Sequence, residues 1–330
     1  MALTYDDVSA ITNKWYSKMF PSLVFDENIV MSRLWKKGSK VEGGERIMVP
    51  IKYAYAKSGS YSPYEVFDVS GEANITSAEF LWKMYHGDIT IENMELLKND
   101  NALGIKKILD ARMELAKDGI ADSIATDMWS ATATDSSKGL TSLQVMCDAA
   151  AGTLTGVTTY GGIARASYSW WAGNVISGGG GALTTASQGL TRQFSTVFGT
   201  LSDGSKHPTV ICAHPTVIDK YMQEGIVSQH LYDEEAMKRG WLVSRWNSIP
   251  VVGDRHLPTY STTAASNKVV FLNENYIDFI SHKDQNMIFR PLAKPIDQEV
   301  SVGRFLWAGN VVCSAPKYSG ILYNFTISYS

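Results

Sequence analysis

Residues 101–128 read NALGIKKILDARMELAKDGIADSIATDM. Apolar or small side chains recur at Ile105, Leu109, Met113, Ala116, Ile120, Ile124 and Met128, a helical spacing held over the whole stretch. At about 1.5 Å of rise per residue such a helix is roughly 40 Å long, comparable with the width of a domain. Lys106 and Asp110 sit four apart and can pair on the solvated side. A pair of that kind contributes only a few tenths of a kcal/mol. The helix therefore needs a packing partner along its length, and the flanking sequence has to supply it.

Upstream lie two runs with strand character. In RIMVPIKYAY (46–55) a period of two places Ile47, Val49, Ile51, Tyr53 and Tyr55 on one side. FLWKMYHGDITI (80–91) is rich in aromatic and β-branched residues and reads as its partner, so that residues 44–92 form a long ribbon. The intervening KSGSYSPYEVFDVSGEANITSA, a connection of about 20 residues, is too long for a tight turn and has the length of a functional lobe. Aromatic side chains on a two-stranded ribbon point to contacts with another molecule; a hairpin folded back on its own domain is the alternative. Residues 1 to 38 scatter Tyr5, Trp15, Tyr16, Phe20, Phe25 and Trp35 among polar residues, with Pro21 preventing one uninterrupted helix. Such an arm needs another surface to lie on.

Downstream, glycines at 152, 156, 161, 162 and 173 interrupt any regular pattern as far as the run Gly178 to Gly181. Leu183, Ser187, Leu190, Phe194 and Val197 then describe a second amphipathic helix ending near Gly199. Thr209 to Ala213 reads as a short buried strand, followed by a helix opened by Pro215, where a proline sacrifices no hydrogen bond. Short strands follow at 249–252, 268–272, 276–280, 287–292 and 303–313. Helices and strands do not alternate regularly, so the class is α+β, with Arg304 to Cys313 the best candidate to lie against the long helix.

The bulk numbers exclude several functions. The 330 residues are 45% hydrophobic, enough for a substantial core, and 30 basic against 33 acidic residues leave a formal charge of -3. That is not the electrostatic footprint of a dedicated nucleic-acid binder. Cys147, Cys212 and Cys313 are odd in number and widely spaced, fitting buried reduced thiols better than a disulfide framework. No secretion signal and no apolar run of about 18 residues is visible.

Gly178 to Gly181 lacks the surroundings of a phosphate loop, and neither GxSxG nor HExxH occurs. His230 with Asp233 and Glu234 comes nearest to a metal site but reads as a solvated charged face. His207, His214, His256 and His282 are isolated, and the neighbours Asp6 and Asp7, or Glu234 and Glu235, point apart on a helix. No catalytic, cofactor-binding or metal-ligating residue is assigned, and no cofactor and no enzymatic activity are expected.

The order of arm, ribbon, long helix and mixed domain resembles that of tailed-bacteriophage major capsid proteins of the Hong Kong 97 type. The wording resembles them too, in GLTSLQ (139–144), YGGIARASYSWWAGN (160–174), HPTVICAHPTVIDKY (207–221), IPVVGDRHLP (249–258), VVFLNENYIDFISHKDQNM (269–287) and FLWAGNVVCSAPKYSGIL (305–322). The resemblance implies a Hong Kong 97-like fold with an N-terminal arm (1–38), an E-loop (39–95), a P domain carrying the spine helix (96–138 and 286–318), an A domain (139–285) and a C-terminal strand (319–330). It implies a subunit that assembles with itself into hexamers and pentamers of an icosahedral virion shell, built in the host cytoplasm. That shell would enclose double-stranded DNA without sequence-specific binding.

A separate scaffolding protein, a portal and decoration proteins are the implied partners; the short stretch before the ribbon resembles members served by a separate scaffold. Family members commonly carry an acidic residue after GGI and a basic one after the paired aromatics, where this chain has Ala164 and Ala172, which puts a particular subunit salt bridge there in doubt. An encapsulin-like compartment is the nearest alternative; a tail or decoration protein, or a hydrolase with a site assembled from distant residues, are the others.

Overall fold

The computed structural model describes residues 29–67, 70–92, 102–179, 189–225, 244–257, 267–296 and 298–326, the side chains of 102–108 and 224–225 excepted. In chain order its main elements are α1 (Ile29–Lys37), β1 (Ser39–Val41), β2 (Ile47–Lys52), β3 (Ile75–Phe80), β4 (Lys83–Glu92), α2 (Ala102–Met128), α3 (Leu143–Cys147), β5 (Thr159–Tyr160), β6 (Ile163–Ala164) and β7 (Asn174–Ser177). They continue as α4 (Leu190–Leu201), β8 (Val210–Ala213), α5 (Pro215–Gly225), β9 (Ser244–Trp246), β10 (Ile249–Gly253), β11 (Lys268–Leu272), β12 (Ile277–His282), β13 (Ile288–Ala293), β14 (Val300–Cys313) and β15 (Gly320–Tyr323).

The first sheet is organised by β14, whose 14 residues make it the longest strand described. One edge pairs with β4 from Val300↔Glu92 to Gly309↔Lys83, all antiparallel. The other edge takes β12 along its C-terminal half and β13 along its N-terminal half, and β1 adds to β12 in parallel. The strand β4 alternates buried and exposed residues, so Ile89 and Ile91 face inward. On that inner side lies α2, 27 residues long, burying Leu109, Met113, Ala116, Ile120, Ile124 and Met128 in the same apolar cluster. The helix thus lies against the sheet organised by the predicted C-terminal strand, but on β4 rather than on β14 itself.

Helix and strand come close together at Gly87. A Cβ there would stand 2.8 Å from both the Ala116 carbonyl oxygen and the Ile120 side chain, so only glycine lets the two backbones approach this far.

The second sheet runs β7-β15-β11-β8-β10-β9. Its strands are apolar on both faces because both faces are covered. Ile211, Ala213, Val251, Val269, Phe271 and Leu322 pack with Leu190, Phe194 and Val197 of α4 and Val217, Ile218 and Tyr221 of α5. The alternate residues Val210, Cys212, Val252, Val270, Leu272 and Ile321 join Leu143, Val145 and Met146 of α3 in the main core.

Two expectations need correction. The partner of β2 is β3, from Ile47↔Phe80 to Lys52↔Ile75, and not the whole run 80–91. After Phe80 the chain leaves the ribbon at Leu81 and Trp82 and enters the first sheet, because the inward row of Ile89 and Ile91 needs the core face that α2 supplies. The helix expected to end near Gly199 does so, its last residue being Leu201, which is buried in the second core. Trp35, counted with the arm, packs on its own chain, 5.1 Å from Phe279 and 6.4 Å from Trp307 between ring centroids. Ile29, Val30, Met31 and Leu34 of α1 are core residues as well. Tyr5, Trp15, Tyr16, Phe20 and Phe25 lie outside the described residues.

Candidate assembly surface

The ribbon has two unlike parts. Its stem is packed: Ile47, Ile51, Ala78 and Phe80 are buried, Phe80 meets Tyr160 edge-on at 5.1 Å, and Tyr53 stacks on Trp170 at 5.2 Å. Gly161, at φ +55°, makes this possible, since a Cβ there would come within 2.9 Å of Ala78 and Phe80. Its N–H and C=O are both used, the first on Asp135 and the second by Glu79 N–H at 2.9 Å. Beyond the stem the chain is irregular, with a turn at 63–64, and exposed. Tyr55, Tyr64 and Val66 are 96%, 99% and 92% exposed, and Tyr61 and Phe67, in edge contact at 5.3 Å, are exposed too. So many large apolar groups on one lobe are the mark of an interaction surface.

A second open surface is the outer face of the first sheet. Met84, His86 and Asp88 of β4, Arg304 and Leu306 of β14 and Ile288 and Arg290 of β13 stand in cross-strand rows on it. Arg304 Nε pairs with Asp88 at 2.7 Å, and Met84 and Ile288 are exposed. A shallow pocket of about 220 Å³ lies at its margin between Asp284, Ile288, Arg290 and Leu306.

Among the described residues, the histidines singled out in the sequence do not converge. His207 pairs with the Pro208 carbonyl, His214 with Thr216, and the His282 ring accepts from Asp284 N–H. His256 alone is bracketed by carboxylates, Asp254 at 3.2 Å and Asp122 of α2 at 2.9 Å, and Asp254 also accepts from Trp129 Nε1 at 2.6 Å. The hydrogen bond to Asp254, aided by Asp122 against the opposing effect of burial, raises the His256 pKa from 6.5 to about 9. Burial and nearby Arg255 lower that of His214.

Asp6, Asp7, His230, Asp233, Glu234 and Glu235 lie outside the described residues, as do Gly180 and Gly181. Among the described residues no group of three His, Cys, Asp or Glu side chains is placed to hold a metal ion, and no helix is long and apolar enough to cross a membrane. The three cysteines are buried and free, with burial pushing each thiol pKa upward.

Sequence reasoning missed the buried polar residues that hold the loops beneath the ribbon. Asp148 accepts from Ala149, Leu154 and Thr155 N–H groups and from Thr155 Oγ1. Arg165, fully buried, donates to the Val145 carbonyl and lies 5.2 Å from the Tyr160 ring centroid. Lys83, Asp135 and Asn310 form a third such group. A lone charged residue inside an apolar run, as in FLWKMY or GGIAR, is the only trace these leave in the sequence.

No family model matches the chain, and no curated protein matches it. Solved structures do. The cyanophage A-1(L) capsid asymmetric unit aligns with a TM-score of 0.60 at 15% identity, over 88% of this chain and 90% of that one. The capsid of a native GTA particle aligns with 0.59 at 12% identity, over 90% of each chain. The holo-SrpI encapsulin complex from Synechococcus elongatus aligns with 0.55 at 12% identity, over 100% of this chain and 98% of that one. This shared architecture defines the class: the chain has the fold of shell-forming subunits. Specifically, it is the Hong Kong 97-like capsid fold.

Proposed function

We propose that this chain is the major capsid protein of a tailed bacteriophage, assembling with itself into the hexamers and pentamers of an icosahedral shell around double-stranded DNA. The observation that carries the reading is the pairing of a capsid-type fold with a ribbon tip whose aromatics its own chain leaves exposed. In a closed shell the tip of each subunit would lie on a neighbour, and many modest contacts would sum to a firm wall. The near-neutral charge suits a wall that encloses DNA without gripping it.

The division into arm (1–38), E-loop (39–95), P domain (96–138 and 286–318), A domain (139–285) and C-terminal strand (319–330) belongs to the same proposal, with the arm shortened because α1 packs on its own chain. So do a scaffolding protein, a portal and decoration proteins as partners, and assembly in the host cytoplasm. The test is negative-stain microscopy of the protein expressed alone and with scaffolding protein, followed by nucleic-acid analysis of virions. Closed icosahedral shells and a DNA-filled particle are expected. Shells that carry a protein cargo and no DNA would favour an encapsulin-like compartment, and small particles with no shell under either condition would sink the proposal.

A further inference from the structure

The ribbon enters the first sheet at Lys83, and polar groups from four parts of the chain meet there out of water. Lys83 is 3% exposed. Its Nζ donates to the carbonyl oxygens of Asp135 at 2.7 Å and of Ser137, with that of Thr134 at 3.4 Å. All three carbonyls belong to the loop that follows α2. The Asp135 carboxylate, from the same loop, accepts from Gly161 N–H at 2.6 Å and from Thr141 Oγ1 at 3.0 Å. Asn310 of β14 closes the group, donating to the Leu81 carbonyl at 2.9 Å and accepting from Thr141 N–H at 3.1 Å.

Packing does not explain a lysine here. Position 83 faces inward with Ile89 and Ile91, and burying an ammonium costs several kcal/mol unless its charge and all its donors are met. An ammonium has three N–H donors and no acceptor, and three carbonyl oxygens with a carboxylate nearby are the surroundings a hard cation takes. Burial lowers the Lys83 pKa while Asp135 opposes that, and burial raises the Asp135 pKa while its hydrogen bonds and Lys83 oppose that.

We propose that the carbonyls of Thr134, Asp135 and Ser137 form a cation cage whose occupant is the tethered Lys83 ammonium, and that Lys83 is thereby the positioning residue fixing the angle at which the ribbon leaves the body. The cage stands on the geometry alone; its consequence for assembly rests on the shell reading above.

The test is chemical rescue of full-length Lys83→Ala, read by hydrogen exchange on soluble subunits and by shell yield. Exchange across 132–141 should rise about tenfold or more while β8 and β11 keep their wild-type rates. Propylammonium, which can donate into the cage, should restore slow exchange, whereas tetramethylammonium at the same ionic strength should not. Unchanged exchange, or equal effects of the two salts, would overturn the cage.

Should the alanine variant fail to fold, Lys83→Met keeps the apolar stem. It is expected to fold with fast exchange in the loop, and wild-type exchange there would show that packing suffices. Shell yield should fall with either variant and recover with propylammonium for the alanine one. Normal yield despite a loosened loop would overturn the positioning role. Failure of the wild-type chain to make shells would count against the capsid reading and leave the exchange result standing.

Discussion

Single residues set the tolerances of this fold in two ways. Gly87 does so by absence of a side chain, since any Cβ would press on the Ala116 carbonyl, a backbone atom that cannot move without the helix. Gly87→Val is expected to cost about 1–3 kcal/mol, the range of overpacked sites, seen as a lower urea midpoint of the soluble subunit. An unchanged midpoint would mean that α2 shifts freely. His256 acts by charge, tying Asp122 of α2 to Asp254 beyond β10.

Its folded pKa, about 9, lies above the ordinary 6.5, so the stabilisation is complete below about pH 6.5 and is lost as the pH rises through 9. Asp122 is largely exposed, and after discounting for solvent the effect is about 1 kcal/mol. Urea unfolding should therefore show wild type more stable than His256→Gln by about that amount at pH 6, with the gap closing by about pH 10. A gap independent of pH would refute the ion pair as its source.

At the scale of elements, the ribbon and β4 are continuous in sequence yet differ in support. The strand β4 is paired along its whole length with β14 and covered by α2, while the tip beyond the stem has no such cover. A two-stranded hairpin is marginal alone in water. Exchange of amides in 60–67 is thus expected to be fast in soluble subunits and slow in shells, with β4 slow in both. Equal rates for the tip in the two states would remove the ribbon from the assembly surface.

The sequence shows why one half of this was readable. Ile47, Val49 and Ile51 announce β2 by their period of two, but the run 80–91 looks equally strand-like on both sides of Trp82, and no local feature says that its partner lies more than 200 residues away. Pairing depends on which core face a strand must fill, and that is a property of the assembled fold.

For the whole molecule, the boundary of the arm decides what a truncation measures. Removing residues 1–38 takes Ile29, Val30, Met31 and Leu34 out of the main core, at a cost of about 2–5 kcal/mol for each large aliphatic side chain lost, so the subunit itself should unfold. Removing residues 1–28 is expected to leave the unfolding midpoint near that of the full chain and to lower the yield of closed shells. Thermal unfolding and microscopy on both truncations separate the cases; normal shells from the shorter one would count against an assembly role for its aromatics.

The sequence by itself determined the elements: the long helix from its repeat of apolar residues, the strands read at 209–213, 249–252, 268–272 and 303–313 from their short apolar runs, each within three residues of its observed bounds, and the α+β class from their order. These are consequences of local periodicity, which survives in a linear string. Only the tertiary structure decided that the helix lies on β4, that α1 belongs to the core, and that Lys83, Asp135 and Asn310 meet beneath the ribbon. Those facts depend on which distant surfaces exclude water together, and a buried charge is tolerated only where the folded chain brings it partners.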